Sequence, residues 1–334
     1  MGLPNDGAAG ARGCQLSMAY FPARKDTGDV GDLSATPVGY LMPALYGEDF
    51  GADQTYEESK RIRPAALTYL DYLSLLETGG NIAFENTRNF MPWMYTLFMG
   101  EPSTAGVGDP YTHTFTPGTT QMFGIVEKNW TAAVAAMVDY YLLIAIKAMH
   151  FKIKPYGLAE ITIDFMGLGK YSLEAAVKDA SLTDDTTTIA TDQLVTVCKE
   201  GGSTFSDFEE INIDLEWLDM ARADYVGGQG VARGFKRGPF QASGSVLSVI
   251  RNDTLRAKAR AQTASSLEAQ WTWSANHSTN ISLPYITFQR KKDLSASQRG
   301  ELTHSYPFKS HDGGASLNTI THKCATATYT HPTT

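Results

Sequence analysis

Gly79-Gly80-Asn81-Ile82-Ala83-Phe84-Glu85-Asn86 is followed by an amphipathic stretch from Phe90 to Met99. A related order recurs later. Ala242-Ser243-Gly244-Ser245-Val246-Leu247-Ser248-Val249-Ile250 leads through Asn252-Asp253 into a second helix-like stretch ending at Ala261. Each passage reads strand, helix, polar loop and further strands. Two β-rich units of this kind, with no catalytic cluster attached, point to a building block rather than an enzyme.

The first helix is the clearest one. Asn89 is placed to cap it, and Pro92 lies in the first turn, where its missing N–H costs nothing. Phe90, Met94, Leu97 and Phe98 line one face, and Gly100 stops the helix. Upstream, Ala65–Leu76 reads two ways: Leu67, Leu70, Leu73 and Leu76 recur every three residues and favour a helix, while Thr68, Tyr69 and Tyr72 also suit a strand, and Gly79-Gly80 ends the element either way. In the second copy Asn252 is the candidate cap for a helix over Asp253–Ala261.

Strands dominate the rest. Tyr111–Phe115 alternates and ends at Pro117-Gly118. Gln121–Lys128 and Ile161–Phe165 follow, the latter bounded by Gly157 and Gly167. Glu210–Trp217 alternates cleanly, with Ile211, Ile213, Leu215 and Trp217 on one side. Phe240–Ile250, Leu267–Ser274, Ile281–Phe288, Ser305–Lys309 and a last strand within Ser316–Thr328 complete the reading. The fold class is mainly β with a few helices.

With 334 residues and 43% hydrophobic content the chain suits two domains better than one. Residues 1–35 are a flexible N-terminal arm, 36–177 the first unit, 178–209 a linker or insertion, and 210–334 the second unit. Ala132–Phe151 is long and apolar enough to need a membrane check. Asp139 and Lys147 interrupt it, each at about 3 kcal/mol in a helix centre, and Val138–Ile146 suits a buried strand. The expectation is no membrane span and, from the N-terminal residues, no secretory signal.

Chemistry is scarce. Gly167-Leu168-Gly169-Lys170-Tyr171-Ser172 fails as a phosphate loop, because Asp164 stands where the first glycine belongs and Tyr171 follows Lys170. Gly227-Gly228-Gln229-Gly230 lacks the third glycine of a dinucleotide fingerprint. The seven histidines form no HxH or HxxxH, and Cys14, Cys198 and Cys324 form no CxxC. No cofactor and no metal are expected. Trp271 and Trp273 could share a sheet face as a sugar platform, but core packing is the better reading. The formal net charge of −8 argues against tight nucleic-acid binding through the overall field. A local basic region, Arg233, Lys236, Arg237, Arg251, Arg256, Lys258 and Arg260, contrasts with the charge run holding Glu57 and Glu58. Arg233, Lys236, Arg237, Arg256 and Arg260 are therefore candidate subunit contacts, with Glu57 and Glu58 as acidic counterparts.

Three stretches carry a family resemblance: Gly79–Asn86 before the Phe90–Met99 helix, Ser243-Gly244-Ser245-Val246 before Asn252–Leu255, and Ser282-Leu283-Pro284-Tyr285-Ile286-Thr287-Phe288. Tyr46-Gly47 and the run Gln54-Thr55-Tyr56-Glu57-Glu58 add to them. Over most of residues 36–310 the chain resembles the tail tube (major tail) proteins of long-tailed bacteriophages. The resemblance implies β-sandwich or barrel units, each with a flanking helix, in a virion protein that is not an enzyme. It implies rings of self-associated subunits stacked into a tube whose lumen passes genome DNA without binding it specifically. A trimer of two-unit chains is preferred to a hexamer. Tape measure, terminator and distal tail proteins are the implied partners, and the virion tail, after assembly in the host cytoplasm, is the implied location. The competing expectations are another tail structural protein, such as a terminator or decoration protein, and a β-sandwich carbohydrate-binding module.

Overall fold

The computed structural model describes residues 15–20, 39–43, 49–57, 72–119, 122–131, 137–154, 160–177, 181–182, 195–224, 231–290, 302–311 and 317–329. Their elements run β1 Gln15–Tyr20, β2 Gly39–Leu41, β3 Asp49–Glu57, β4 Tyr72–Glu85, α1 Met91–Met99, β5 Ser103–Ala105, β6 Tyr111–Phe115, β7 Gly124–Asn129, β8 Val138–Ile153 and β9 Glu160–Glu174. They continue with β10 Val195–Glu200, β11 Ser203–Thr204, β12 Phe208–Trp217, β13 Ala221–Arg222, β14 Phe235–Lys236, β15 Phe240–Val249, α2 Thr254–Ala261, β16 Ala264–Ser274, β17 His277–Phe288, β18 Thr303–Ser310 and β19 Thr319–Cys324. The chain is mainly β with two helices among the described residues. All registered pairs are antiparallel, so each strand alternates a core face with an open one.

The pairings repeat. In the first half β3 pairs with β4, β4 with β9, β9 with β8, β8 with β7, and β7 with β1. In the second half β12 pairs with β15, β15 with β18, β18 with β17, β17 with β16, and β16 with β10. The helix sits at the same point in both, α1 after β4 and α2 after β15. Single residues fix the correspondence. Gly80 lies opposite Phe165, and Gly244 opposite Phe308. Both glycines have positive φ, 129° and 158°. A Cβ on Gly80 would stand 1.7 Å from the Asp49 carbonyl oxygen, and one on Gly244 2.0 Å from that of Asn212. Only glycine admits so close a crossing of neighbouring backbones. One step further, Phe165 faces Ile146 and Phe308 faces Phe288.

Strand pairing also joins the halves. β8 pairs with β12 from Ile153↔Ile211 to Ala148↔Glu216, and β6 pairs with β19 from Phe115↔Ile320 to Tyr111↔Cys324. One apolar cluster runs through both halves and includes Phe84, Phe98, Phe151, Trp217, Trp271 and Phe308. Each such side chain contributes roughly 2–3 kcal/mol of burial.

The two helices differ in how they are held. α1 is buried nearly all round, with Trp93 partly exposed, as expected of a helix inside a core rather than on a surface. Its C-terminal end is satisfied from the other half, where Trp217 Nε1 donates to the Phe98 carbonyl at 3.0 Å. α2 buries only Leu255 and Ala259, and its last turn carries Lys258 and Arg260, favourable for the helix dipole. Asn252 does accept a terminal amide, that of Thr254 at 3.0 Å.

Several local expectations are corrected. Asn89 does not cap α1; the residue before the helix is Phe90, and Asn89 Oδ1 accepts from Arg88. Gly79-Gly80 do not end an element, because β4 runs through both, which lets β3 and β9 approach on either side. Of the two readings of Ala65–Leu76, Tyr72–Leu76 takes the strand one rather than the helix of the leucine spacing; residues 65–71 lie outside the described residues. β9 likewise continues through Gly167 to Glu174. Residues 15–20, within the expected arm, form β1 against β2 and β7, and β10 and β11 fall within 178–209.

Candidate functional site

The β3–β4–β9–β8–β12–β15–β18 order makes a composite sheet that crosses from one half to the other. Its inner face carries Ile163, Met149, Ile213 and Val246, all buried. Register partners share a face, so the opposite side can be read across the sheet. One row runs Ala83, Thr162, His150, Asp214, Ser243, Lys309. Its neighbours bring Glu160, Lys152, Asn212 and Ser245 on one side and Asn81, Asp164, Glu216 and Gln241 on the other.

This open face is acidic. Glu160, Asp164, Glu210, Asp214 and Glu216 supply carboxylates against Lys152, Lys309 and His150. His150 bridges three strands, with Nδ1 2.7 Å from Asp214 Oδ1 and Nε2 3.3 Å from Asp164 Oδ2. Those two hydrogen bonds, with Asp164 first, raise its pKa to about 10 and keep it protonated at neutral pH. The side chains are partly exposed, so the bridge is worth at most about 1 kcal/mol. It ties β8 to both β12 and β9 across the open face.

The second seam is built differently. On β6 and β19, His113 and His322 are direct register partners and both fully buried. His113 Nε2 lies 2.9 Å from the Thr326 carbonyl, and His322 Nδ1 2.8 Å from Thr279 Oγ1. Burial lowers the pKa of both, that of His322 to about 3.

The expected contact residues occupy three places. Arg233 and Lys236 are exposed beside and in β14. Arg237 is engaged within the chain: its guanidinium lies 4.2 Å over the Trp217 ring and donates to the Thr119 carbonyl at 2.6 Å. Arg256 and Arg260 lie on α2, where Arg256 approaches Asp253 at 3.9 Å. Lys258 binds the buried Glu200 at 2.7 Å, and Arg251 binds Asp207 at 3.1 Å. Glu57 is the last residue of β3, and Glu58 lies outside the described residues.

Trp271 is fully buried, 6.3 Å from Phe151, so it serves the core rather than a sugar platform. Gly227–Gly230 lies outside the described residues. Among the described residues no helix is long and apolar enough to cross a membrane. Sequence reasoning missed the acidic face as a unit. Its β12 members are visible as the polar positions of the Glu210–Trp217 alternation, but their alignment with Asp164 and His150 depends on pairing over distance.

A family model described as phage tail tube protein matches residues 21–310. No curated protein matches the chain. The matched region covers most of the chain, including the β8–β12 seam and the acidic face, and on that extent the chain belongs to the phage tail tube protein family, a structural component of the virion tail.

Proposed function

We propose that this chain closes into rings with copies of itself, that the rings stack into the tail tube, and that genome DNA passes through the lumen without specific binding. The acidic face of the composite sheet carries this reading. A wall of carboxylates and neutral polar groups repels phosphate, whereas a wall of Lys and Arg would hold DNA in a salt-dependent way. Residues 36–177 and 210–334 act as two tandem units, with β1 from the 1–35 segment joined to the sheet of the first and β10 from the 178–209 segment joined to that of the second. Two units per chain favour trimeric rings of pseudo-sixfold symmetry over hexamers. Arg233, Lys236, Arg256 and Arg260 face acidic segments of neighbours, Glu57 and Glu58 among them. Tape measure, terminator and distal tail proteins meet the tube, which assembles in the host cytoplasm.

Negative-stain electron microscopy of the concentrated protein tests the assembly. Rings or tubes with a central channel are expected, with threefold features. Monomers at every concentration would overturn self-assembly. The lumen assignment is tested by Asp214→Lys with Glu216→Lys, for which tubes that retain double-stranded DNA at low salt and release it at high salt are expected. Unchanged DNA behaviour in intact tubes would place this face elsewhere.

A further inference from the structure

β19 ends at Cys324, and no ladder pairing extends past it among the described residues. Residues 325–329 then run over the β6–β19 seam. Ala325, Thr326, Ala327 and Thr328 are exposed, whereas Tyr329 is only 1% exposed. The Tyr329 ring is wedged against both seam histidines, 4.8 Å from that of His113 and 6.2 Å from that of His322, and stands edge-on to Trp93 of α1 at 5.1 Å. Its hydroxyl lies 3.3 Å from Cys324 Sγ, and the Thr326 carbonyl lies 2.9 Å from His113 Nε2. Contacts to side chains therefore hold a segment that stands outside the sheet.

We propose that residues 325–329 are an acid-released latch: protonation of the seam histidines drives Tyr329 from its slot and uncovers the β6–β19 seam, with the strands still paired. This latch does not depend on the ring reading above.

The neutral seam is complete as it stands. His113 Nε2–H donates to the Thr326 carbonyl, and its Nδ1 accepts from Thr104 Oγ1 at 2.9 Å. His322 Nδ1–H donates to Thr279 Oγ1, which leaves Nε2 as a bare lone pair. A second proton on His322 would sit on that Nε2, fully buried and without an acceptor among the described residues. The surrounding charges give no relief. His113 on β6, His277 on β17 and Arg88 before α1 all repel a proton there, and Asp109 acts on His277 instead. Cys324 and Tyr329, with Tyr40 beyond them, are neutral in acid. Burial is accordingly the first cause that keeps both seam rings neutral. Lifting Tyr329 admits water, the acceptor that the closed seam lacks. Acid favours the open form by linkage, since the open form takes up the proton that the closed form refuses. The pairs from Phe115↔Ile320 to Tyr111↔Cys324 are backbone contacts of the sheet, and the latch is no part of them.

The test is accessibility of the Cys324 thiol, 1% exposed beside Tyr329, in the chain carrying Cys14→Ser and Cys198→Ser. Reaction with a pyridyl disulfide is followed at about pH 7.5 and about pH 4.5. Each rate is divided by that of the same chain in urea at that pH, which removes the pH dependence of the thiol itself. One proton taken up on opening, by a ring of ordinary pKa near 6.5, raises the normalised rate roughly a hundredfold over this interval. That rise is expected with far-UV circular dichroism unchanged. His322→Phe should react slowly at both pH values, and Tyr329→Ala quickly at both. His322→Asn, which keeps a donor toward Thr279, serves if the Phe variant fails to fold. A flat normalised rate in the parent, an equal rise in the His322 variant, or a rise only where the far-UV signal collapses would overturn the latch.

Discussion

Replacing His322 by Phe tests the buried seam between β6 and β19. His322 is fully enclosed, its Nδ1 is 2.8 Å from Thr279 Oγ1, and its Nε2 has no hydrogen-bond partner among the described residues. A proton on Nε2 would place a cation in an apolar site facing His113. Burial is the largest cause of the fall in its pKa from 6.5 to about 3; His113, His277 and Arg88 add repulsion. A base with a depressed folded pKa contributes stability that is complete above its unfolded value. That stability is lost as pH falls toward the folded value. At pH 5 the unfolded chain holds most of that proton and the folded chain almost none, a loss of about 2 kcal/mol relative to pH 7.5; by pH 3 it reaches roughly 4 kcal/mol. The window between pH 7.5 and 5 lies above most carboxylate titrations. Urea unfolding followed by tryptophan fluorescence at these two pH values measures it. His150 works the other way, since its raised pKa adds stability below about 6.5 that fades toward 10, so the parent–variant difference is the quantity to compare. The variant should lose about 2 kcal/mol less than the parent over this interval. An identical loss in both proteins would refute the buried neutral His322.

Lys258→Met strands Glu200, a buried carboxylate bound at 2.7 Å, and should cost about 3–5 kcal/mol in denaturant unfolding, partly restored by Glu200→Gln in the same chain. Gly244→Ala places a methyl 2.0 Å from the Asn212 carbonyl and 2.8 Å from Phe308 Cζ, and a melting scan should show a loss of at least about 3 kcal/mol, whereas Ala at the open Gly51 should change little. Charge reversal at Arg256 and Arg260 should reduce ring formation at unchanged melting temperature, because both lie on the weakly buried face of α2; normal rings with only DNA passage altered would remove them from the contact list.

Local period and local chemistry were legible in the sequence. Ile211, Ile213, Leu215 and Trp217 alternate because a strand buries every second residue, and the structure buries all four. Pro92 in the first turn and Gly100 at the end framed α1 for reasons internal to one helix. The recurrence of Gly80 and Gly244 before a helix is also local, and it held the repeat. Other signals pointed elsewhere because their meaning depends on a neighbour. Gly79-Gly80 reads as a break until the Asp49 and Phe165 carbonyls are brought against it, and Leu73 and Leu76 before it fit a helical spacing until β3 pairs with that strand. Arg237 and Lys258 read as free surface charges, but Trp217 and Glu200 claim them from 20 and 58 residues away.

By itself the sequence determined a mainly β chain of two similar parts, because strand alternation and helix ends are properties of neighbours along the backbone. Tertiary structure alone decided that Asp164, His150 and Asp214 meet on one face across three strands, that His113 and His322 are sealed at a seam, and that β12 is paired on both edges, by β8 and β15. Register between strands is set by backbone hydrogen bonds over long sequence separations, and a shift of one residue would turn every one of these side chains to the opposite face.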